Sequence, residues 1–182
     1  MKPMDLTETT LSRQEIFQGK VFTVHVDDVR LPNGNVTKRE AVEHKGGAAV
    51  LALDDDNNVL VVTQYRYVIG RLFTELPAGK LDKAGEDPRS AALRELREET
   101  GMVPDSFESL GTVIPTPGYD TEVLYLYLAR GLHMEGQHLD PDEFLNVDRI
   151  PFAEMVDKCM SGEIQDAKTV VAVLKAKILL GL

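Results

Sequence analysis

The chain contains no tryptophan, one cysteine and few aromatics, 6% of 182 residues. A lone Cys159 excludes an intramolecular disulfide and fits a reducing compartment such as the cytoplasm. With no neighbouring His motif, it reads as an ordinary helix residue and not as a nucleophile. No apolar run approaches the ~20 residues that span a bilayer. The greasiest stretch, residues 169–182, is interrupted by Lys175 and Lys177 and reads as a core-packed terminal helix. Residues 1–14 are polar and hold no apolar stretch of signal-peptide type. Positive charge is also scarce: 20 Lys and Arg face 30 Asp and Glu, a formal net charge of −10. That argues against nucleic-acid binding, which needs cations to replace counterions. A small anionic substrate remains compatible if metal cations bridge it to the protein.

What is present is an ordinary globular composition, 43% hydrophobic and 27% charged, in a chain long enough for one proper core. Residues 1–12 read as a loose tail. Strand-like segments follow at 15–17, 21–31 and 36–44. The last two flank Leu31-Pro32-Asn33-Gly34-Asn35, and Asn-Gly between β-prone runs predicts a hairpin. Residues 1–45 are therefore expected to form a small N-terminal antiparallel sheet. Gly46-Gly47 then breaks the chain, and residues 46–182 form the main core, the whole treated as one compact unit. Residues 48–53 and 59–65 read as a second strand pair around Asp54-Asp55-Asp56-Asn57-Asn58. That acidic turn lacks the spacing, central Gly and closing Glu of an EF-hand and reads as a solvated turn.

Asp87-Pro88 supplies a good N-cap and first helical residue, and Thr100-Gly101 a left-handed stop. Strand-like segments at 109–114 and 123–129 flank the loop 115–119. An acidic loop at 139–143 precedes another strand-like segment, and helices are expected near 152–160 and 167–180. Strands, helix, strands and helices in that order predict an α+β fold, a mixed sheet sandwiched between helices (α/β/α).

In the helix from Pro88 to Thr100, Ala92, Leu93, Leu96 and Thr100 share a packing face. Glu95, Glu98 and Glu99 cluster on another face, at i, i+3 and i+4. Like charges at that spacing cost a few tenths of a kcal/mol per pair. They also sit toward the helix C-terminus, where the dipole disfavours anions. Helix stability does not explain the cluster, whereas a hard divalent cation such as magnesium does. Taken alone, however, such a face reads first as a solvated acidic surface neutralised by Arg89, Arg94 and Arg97. The residues in front of the helix decide between these readings.

Gly79, Glu86, Arg94-Glu95-Leu96, Glu98-Glu99 and Gly101-Met102 together resemble the Nudix box, G-x5-E-x7-R-E-U-x-E-E-x-G-U with U a bulky aliphatic. One departure is visible: six residues, 80–85, separate Gly79 from Glu86 where the family usually has five. Gln64-Tyr65-Arg66, Glu75-Leu76-Pro77-Ala78-Gly79, Pro117-Gly118-Tyr119 and Gly162-Glu163-Ile164-Gln165-Asp166-Ala167-Lys168-Thr169 resemble the ADP-ribose pyrophosphatase branch of that family, as does the leading sheet. The resemblance runs from about Val21 onward. It implies the Nudix fold and a metal-dependent hydrolase of nucleoside-diphosphate sugars, ADP-ribose foremost, in which activated water attacks one phosphorus. It implies Glu95, Glu98, Glu99 and the Ala78 carbonyl as ligands of Mg2+, with Mn2+ as an alternative. Arg94 would anchor the box through Glu86. The branch is commonly homodimeric, with the N-terminal sheets contributing to the partner's site.

The resemblance implies a general base on an acidic loop beyond the box, here among Asp140, Asp142 and Glu143. Glu143 is favoured for its reach and its place before a strand; Glu122 is the alternative. Glu98 and Glu99 are expected to serve catalysis as well as the metal. Arg66 is the first candidate for phosphate, since a guanidinium matches phosphate oxygens. Arg39 is a second, reaching across a dimer, and Tyr119 a candidate for stacking on the base. Each is also compatible with surface exposure or loop packing. His25, His44, His133 and His138 lack metal-ligand spacing and read as structural or surface residues. Hydrolysis of nucleoside triphosphates or dinucleoside polyphosphates, and a non-catalytic nucleotide sensor, stay open as alternatives.

Overall fold

The computed structural model describes residues 3–81, 83, 85–139, 141 and 143–182. They form two compact units: the described residues up to 45 with 116–122, and those of 46–115 with 123–182.

The first unit is an antiparallel sheet in the order β1-β2-β3, from β1 (Thr9–Gln18), β2 (Phe22–Arg30) and β3 (Val36–His44). The expected hairpin is present, with Arg30 opposite Val36. Asn33 Oδ1 accepts from Asn35 N at 3.0 Å, and Gly34 takes the positive φ of 88° that the turn needs. The loose tail expected over residues 1–12 is corrected, because β1 begins at Thr9. Polar cross-strand pairs hold it, which no apolar pattern announces. Ser12 Oγ donates to Asp28 at 2.9 Å, and Arg13 grips Asp27 with two bonds of 3.1 and 3.0 Å. Asp27 is buried and also meets the buried His25 ring at 3.0 Å, so His25 is structural. The loop carrying Tyr119 joins this unit: Val42 N donates to Tyr119 O at 2.7 Å, and Thr121 N to Val42 O at 3.0 Å.

The second unit holds β4 (Gly47–Ala52), β5 (Asn58–Arg66), β6 (Arg71–Glu75), β7 (Ala78–Lys80), α1 (Pro88–Thr100), β8 (Met102–Val113), β9 (Leu124–Met134), β10 (Leu145–Pro151), α2 (Phe152–Ser161) and α3 (Ala167–Leu180). One sheet runs β7-β4-β9-β8, with β4 parallel to β9; the other runs β10-β5-β6, all antiparallel. Every residue of β4 is buried, and its alternation sorts them to two cores. Ala49 and Leu51 pack with Phe152 and Met155 of α2 and Val173 of α3. Ala48, Val50 and Ala52 pack with Ala92 and Leu96 of α1. Helices thus cover both faces of the strand that supports the acidic helix.

The strand pair expected at 48–53 and 59–65 is also corrected. Among the described residues only an isolated Leu53–Val59 bridge joins them, and β4 and β5 belong to different sheets. Asp54 makes the change of sheet: its Oδ1 accepts from Asp56 N at 3.1 Å and Asn58 N at 2.8 Å, and Asn57 adopts φ 58°. The acidic turn is therefore held by its own carboxylate. The short strands β6 and β7 were not anticipated, and β8 begins seven residues before the expected 109.

Candidate active site

The acidic helix is capped as its sequence requires. Asp87 accepts from Ser90 N at 3.0 Å with Pro88 behind it, and Gly101 ends α1 at φ 75°. Gly101 has a second function. A Cβ there would lie 2.8 Å from Gln137 N and 2.9 Å from Gly136 C. Its absence lets residues 135–138 dock on the last turn of α1. Glu135 N reaches Gly101 O at 2.8 Å, His138 N reaches Glu98 O at 3.0 Å, and Gln137 Nε2 reaches Glu99 O at 2.5 Å. These bonds satisfy carbonyls that a helix end leaves without partners. They also fix the chain just before the acidic loop.

Arg94 organises the acids. Its Nε and Nη2 hold Glu86 at 3.0 and 3.2 Å, the anchor implied by the resemblance. Its Nη1 donates to Glu95 and Glu98, each at 2.8 Å. These three acids raise the guanidinium's proton affinity well above its ordinary value, Glu86 foremost. Glu95 folds over Gly79, where any Cβ would overlap its carboxyl group. A glycine is required there for steric reasons, without a positive φ.

Glu99 lies deepest, 1% exposed, although the helical wheel places it with the acidic face. It accepts from Ala78 N at 3.0 Å, which ties α1 to β7. Burial pushes its carboxyl up to about 8; the charges of Glu95 and Glu143 add to this, while the Ala78 bond and Lys168 oppose it. Burial likewise raises Glu95, against Arg94 and with Glu98 and Glu143. Glu143 is half-buried, and its charge bears on both Glu95 and Glu99. Asp140 and Asp142 lie outside the described residues.

A second ionic network lies beside the first. Glu75, 2% exposed, accepts from Arg66 Nε at 2.6 Å, Arg66 Nη2 at 2.8 Å and Lys168 Nζ at 2.5 Å. Lys168 also reaches Asp166 at 3.0 Å. Burial acts to raise Glu75, but the Arg66 bonds and the Lys168 charge overcome it and hold the carboxyl below its ordinary value. Arg66 thus has two donor groups engaged by Glu75. Sequence reading missed Glu75, Lys168 and Gln137. Glu75 and Lys168 each sit inside a quoted motif, but their pairing spans 93 positions and leaves no local signal.

Arg39, Tyr119 and Glu122 belong to the first unit. Arg39 grips Glu8 at 3.0 and 2.6 Å. The Tyr119 side chain is exposed, and Glu122 lies 3.5 Å from His44 Nδ1.

Residues 43–172 match the family described as the NUDIX domain. The chain belongs to the Nudix family. Residues 8–42 match the nucleoside diphosphate sugar hydrolase N-terminal domain. The ADP-ribose pyrophosphatase of Bacillus subtilis (strain 168) is 41% identical, over 92% of this chain and 91% of that protein. The methanol dehydrogenase activator of Bacillus methanolicus is 43% identical, over 91% and 90%. A crystal structure of an ADP compounds hydrolase aligns with a TM-score of 0.85 at 24% identity, covering 100% of this chain and 97% of that one. The expected α+β Nudix fold is thereby established.

Nudix hydrolases generally require a divalent metal. The donor chemistry here fits one. Glu99 is a buried carboxyl group that accepts from a neutral N–H, and the charges bearing on it include two more acids. Arg94 holds Glu95 and Glu98 in this conformation. Among the described residues no three His, Cys, Asp or Glu side chains stand close enough to enclose an ion.

Proposed function

We propose that this Nudix protein hydrolyses the pyrophosphate bond of nucleoside-diphosphate sugars, ADP-ribose foremost, to a nucleoside monophosphate and a sugar phosphate. The observation that carries this reading is Glu99: a buried carboxylate beside Glu95 and Glu143, tied to the strand of the box glycine. The likeness to an ADP-ribose pyrophosphatase over nearly the whole chain supports the substrate class.

Glu95, Glu98, Glu99 and the Ala78 carbonyl would hold the cation, Mg2+ first and Mn2+ as a substitute. When bound, it neutralises pyrophosphate charge and acidifies water. Glu143 takes the proton of the attacking water. Docking of residues 135–138 on α1 steadies the approach to that loop. Glu75 orients Arg66, whose side chain is 41% exposed and offers its remaining edge to a phosphate. Arg39 and Tyr119 are assigned to the substrate within a homodimer, Arg39 by exchanging Glu8 for an anion across the dimer. Among the described residues no helix is long and apolar enough to cross a membrane, and a cytoplasmic site of action fits.

A phosphatase-coupled phosphate-release assay tests the reading, with ADP-ribose, ADP-glucose, GDP-mannose, a dinucleoside polyphosphate and a nucleoside triphosphate. Metal-dependent turnover of the diphosphate sugars that collapses in Glu99→Gln is expected. No turnover of them with Mg2+ or Mn2+ overturns it. The likeness to a methanol dehydrogenase activator supports a second reading, stimulation of a dehydrogenase. Adding the wild-type and Glu99→Gln proteins to a methanol dehydrogenase tests that.

A further inference from the structure

Two sequence segments, 75–79 and 162–169, stand far apart in the chain and meet in the second unit. Their meeting point is Thr169, which has no exposed surface and lies in the first turn of α3. The Thr169 hydroxyl accepts from Leu76 N at 3.0 Å and donates to Asp166 Oδ2 at 2.5 Å. Its direction is fixed by chemistry: the Leu76 N–H only donates, so the hydroxyl accepts there and its own proton goes to Asp166. Asp166 is held in turn by Lys168, whose ammonium also grips Glu75, the residue before Leu76. The strap that follows is accounted for donor by donor. Pro77 has no N–H, and its carbonyl accepts from Val50 N at 2.9 Å. The Ala78 N–H goes to Glu99.

Thr169 is thus the α3 end of a short relay through Leu76, Pro77 and Ala78 to Glu99. We propose that Thr169 is a positioning residue for the candidate cation site, setting the Leu76–Ala78 backbone against the Glu99 carboxylate from the opposite helix. The inference rests on the cation-site part of the proposed function. Capping of α3 is separable from it, because the N–H of residue 169 donates to Asp166 at 3.1 Å whatever the side chain.

The test titrates Mn2+ alone, without substrate, by the loss of its free electron-paramagnetic-resonance signal. Wild type is compared with Thr169→Val, which keeps the shape and removes the hydroxyl, and with Thr169→Ser, which restores it. Circular dichroism and thermal melts confirm that each variant is folded at the titration temperature. Thr169→Val is expected to bind Mn2+ about tenfold more weakly, a loss of the size seen when a group that orients metal ligands is removed. Thr169→Ser should stay within about twofold of wild type by the same reasoning. Should Thr169→Val fail to fold, Thr169→Ala leaves room for a water on the Leu76 N–H and should lose about threefold. Wild-type affinity in a folded Thr169→Val or Thr169→Ala variant, with only a lowered melting temperature, overturns the proposal. If wild type binds Mn2+ and hydrolyses no diphosphate sugar, the substrate reading fails and a weakened Thr169→Val still supports this one.

Discussion

Glu75 and Glu99 lie in the same unit, 2% and 1% exposed, and burial pushes both carboxyls the same way. They end on opposite sides of the ordinary value: Glu75 is held below it, and Glu99 rises to about 8. The difference lies in their partners. Glu75 has a guanidinium and an ammonium bonded to it, and with Asp166 the group of two acids and two bases is balanced. Glu99 has one neutral N–H bonded to it and two acids bearing on it, with the charge of Lys168 the weakest influence opposing them. A buried charge with full compensation belongs to the scaffold. One without it is what the proposed cation site calls for, since a bound cation would supply the missing compensation.

The comparison is broken most sharply by neutralising Glu99. Glu99→Gln keeps an acceptor for the Ala78 N–H and should lower turnover about a thousandfold or more in the phosphate-release assay. In the same variant the metal-free protein should gain roughly 1–3 kcal/mol at pH 8.5 in urea unfolding, because a buried charge is gone. The balanced network should behave in the reverse way. Glu75→Ala leaves Arg66 and Lys168 without their shared acid and should cost about 3–5 kcal/mol in urea unfolding. Glu143→Gln should lower kcat about a hundredfold, the scale of a lost general base, while Mn2+ affinity falls less than about threefold.

The pH dependence of stability separates the two glutamates by sign. Folding raises the Glu99 carboxyl, so its contribution is full below the ordinary carboxylate range and is lost as pH rises toward and through about 8. Folding lowers the Glu75 carboxyl, so its contribution is present above the ordinary range and lost as pH falls. Melting temperatures of the metal-free variants across pH should show Glu99→Gln flattening the alkaline side and Glu75→Gln flattening the acid side. The smallest expected effect is at Gln137. Gln137→Leu removes the bond to Glu99 O and should lower kcat about threefold, with Mn2+ affinity unchanged in the same titration, as loss of one neutral hydrogen bond implies.

Much of this was legible locally. The Asn-Gly hairpin and the Asp87 and Gly101 caps follow from turn and capping chemistry within a few residues of each feature, and the two terminal helices fall where they are expected, at Phe152–Ser161 and Ala167–Leu180. What was not legible depends on partners distant in sequence. The apolar runs at 48–53 and 59–65 look like one hairpin, but β4 takes β9 as its partner, more than 70 positions on. Strand β1 is held by Arg13–Asp27 and Ser12–Asp28, polar pairs that carry no alternation of apolar residues. In the site, the 3.6-residue period grouped Glu95, Glu98 and Glu99. It did not show that Glu99 is buried while Glu98 keeps partial exposure, because that depends on where β7 passes. The phosphate role expected of Arg66 rested on its residue type. Its engagement by Glu75 comes from β6 lying beside β5, with Arg66 opposite Arg71.

The most direct test of the central claim is calorimetry of Mn2+ binding at pH 7 in buffers of different ionisation enthalpy, which counts protons released per ion bound. A carboxyl raised to about 8 is mostly protonated at pH 7, so wild type should release close to one proton. Glu99→Gln should bind weakly and release almost none. Binding without proton release in wild type, or equal release in Glu99→Gln, would contradict the assignment of Glu99 as the uncompensated acid of the cation site.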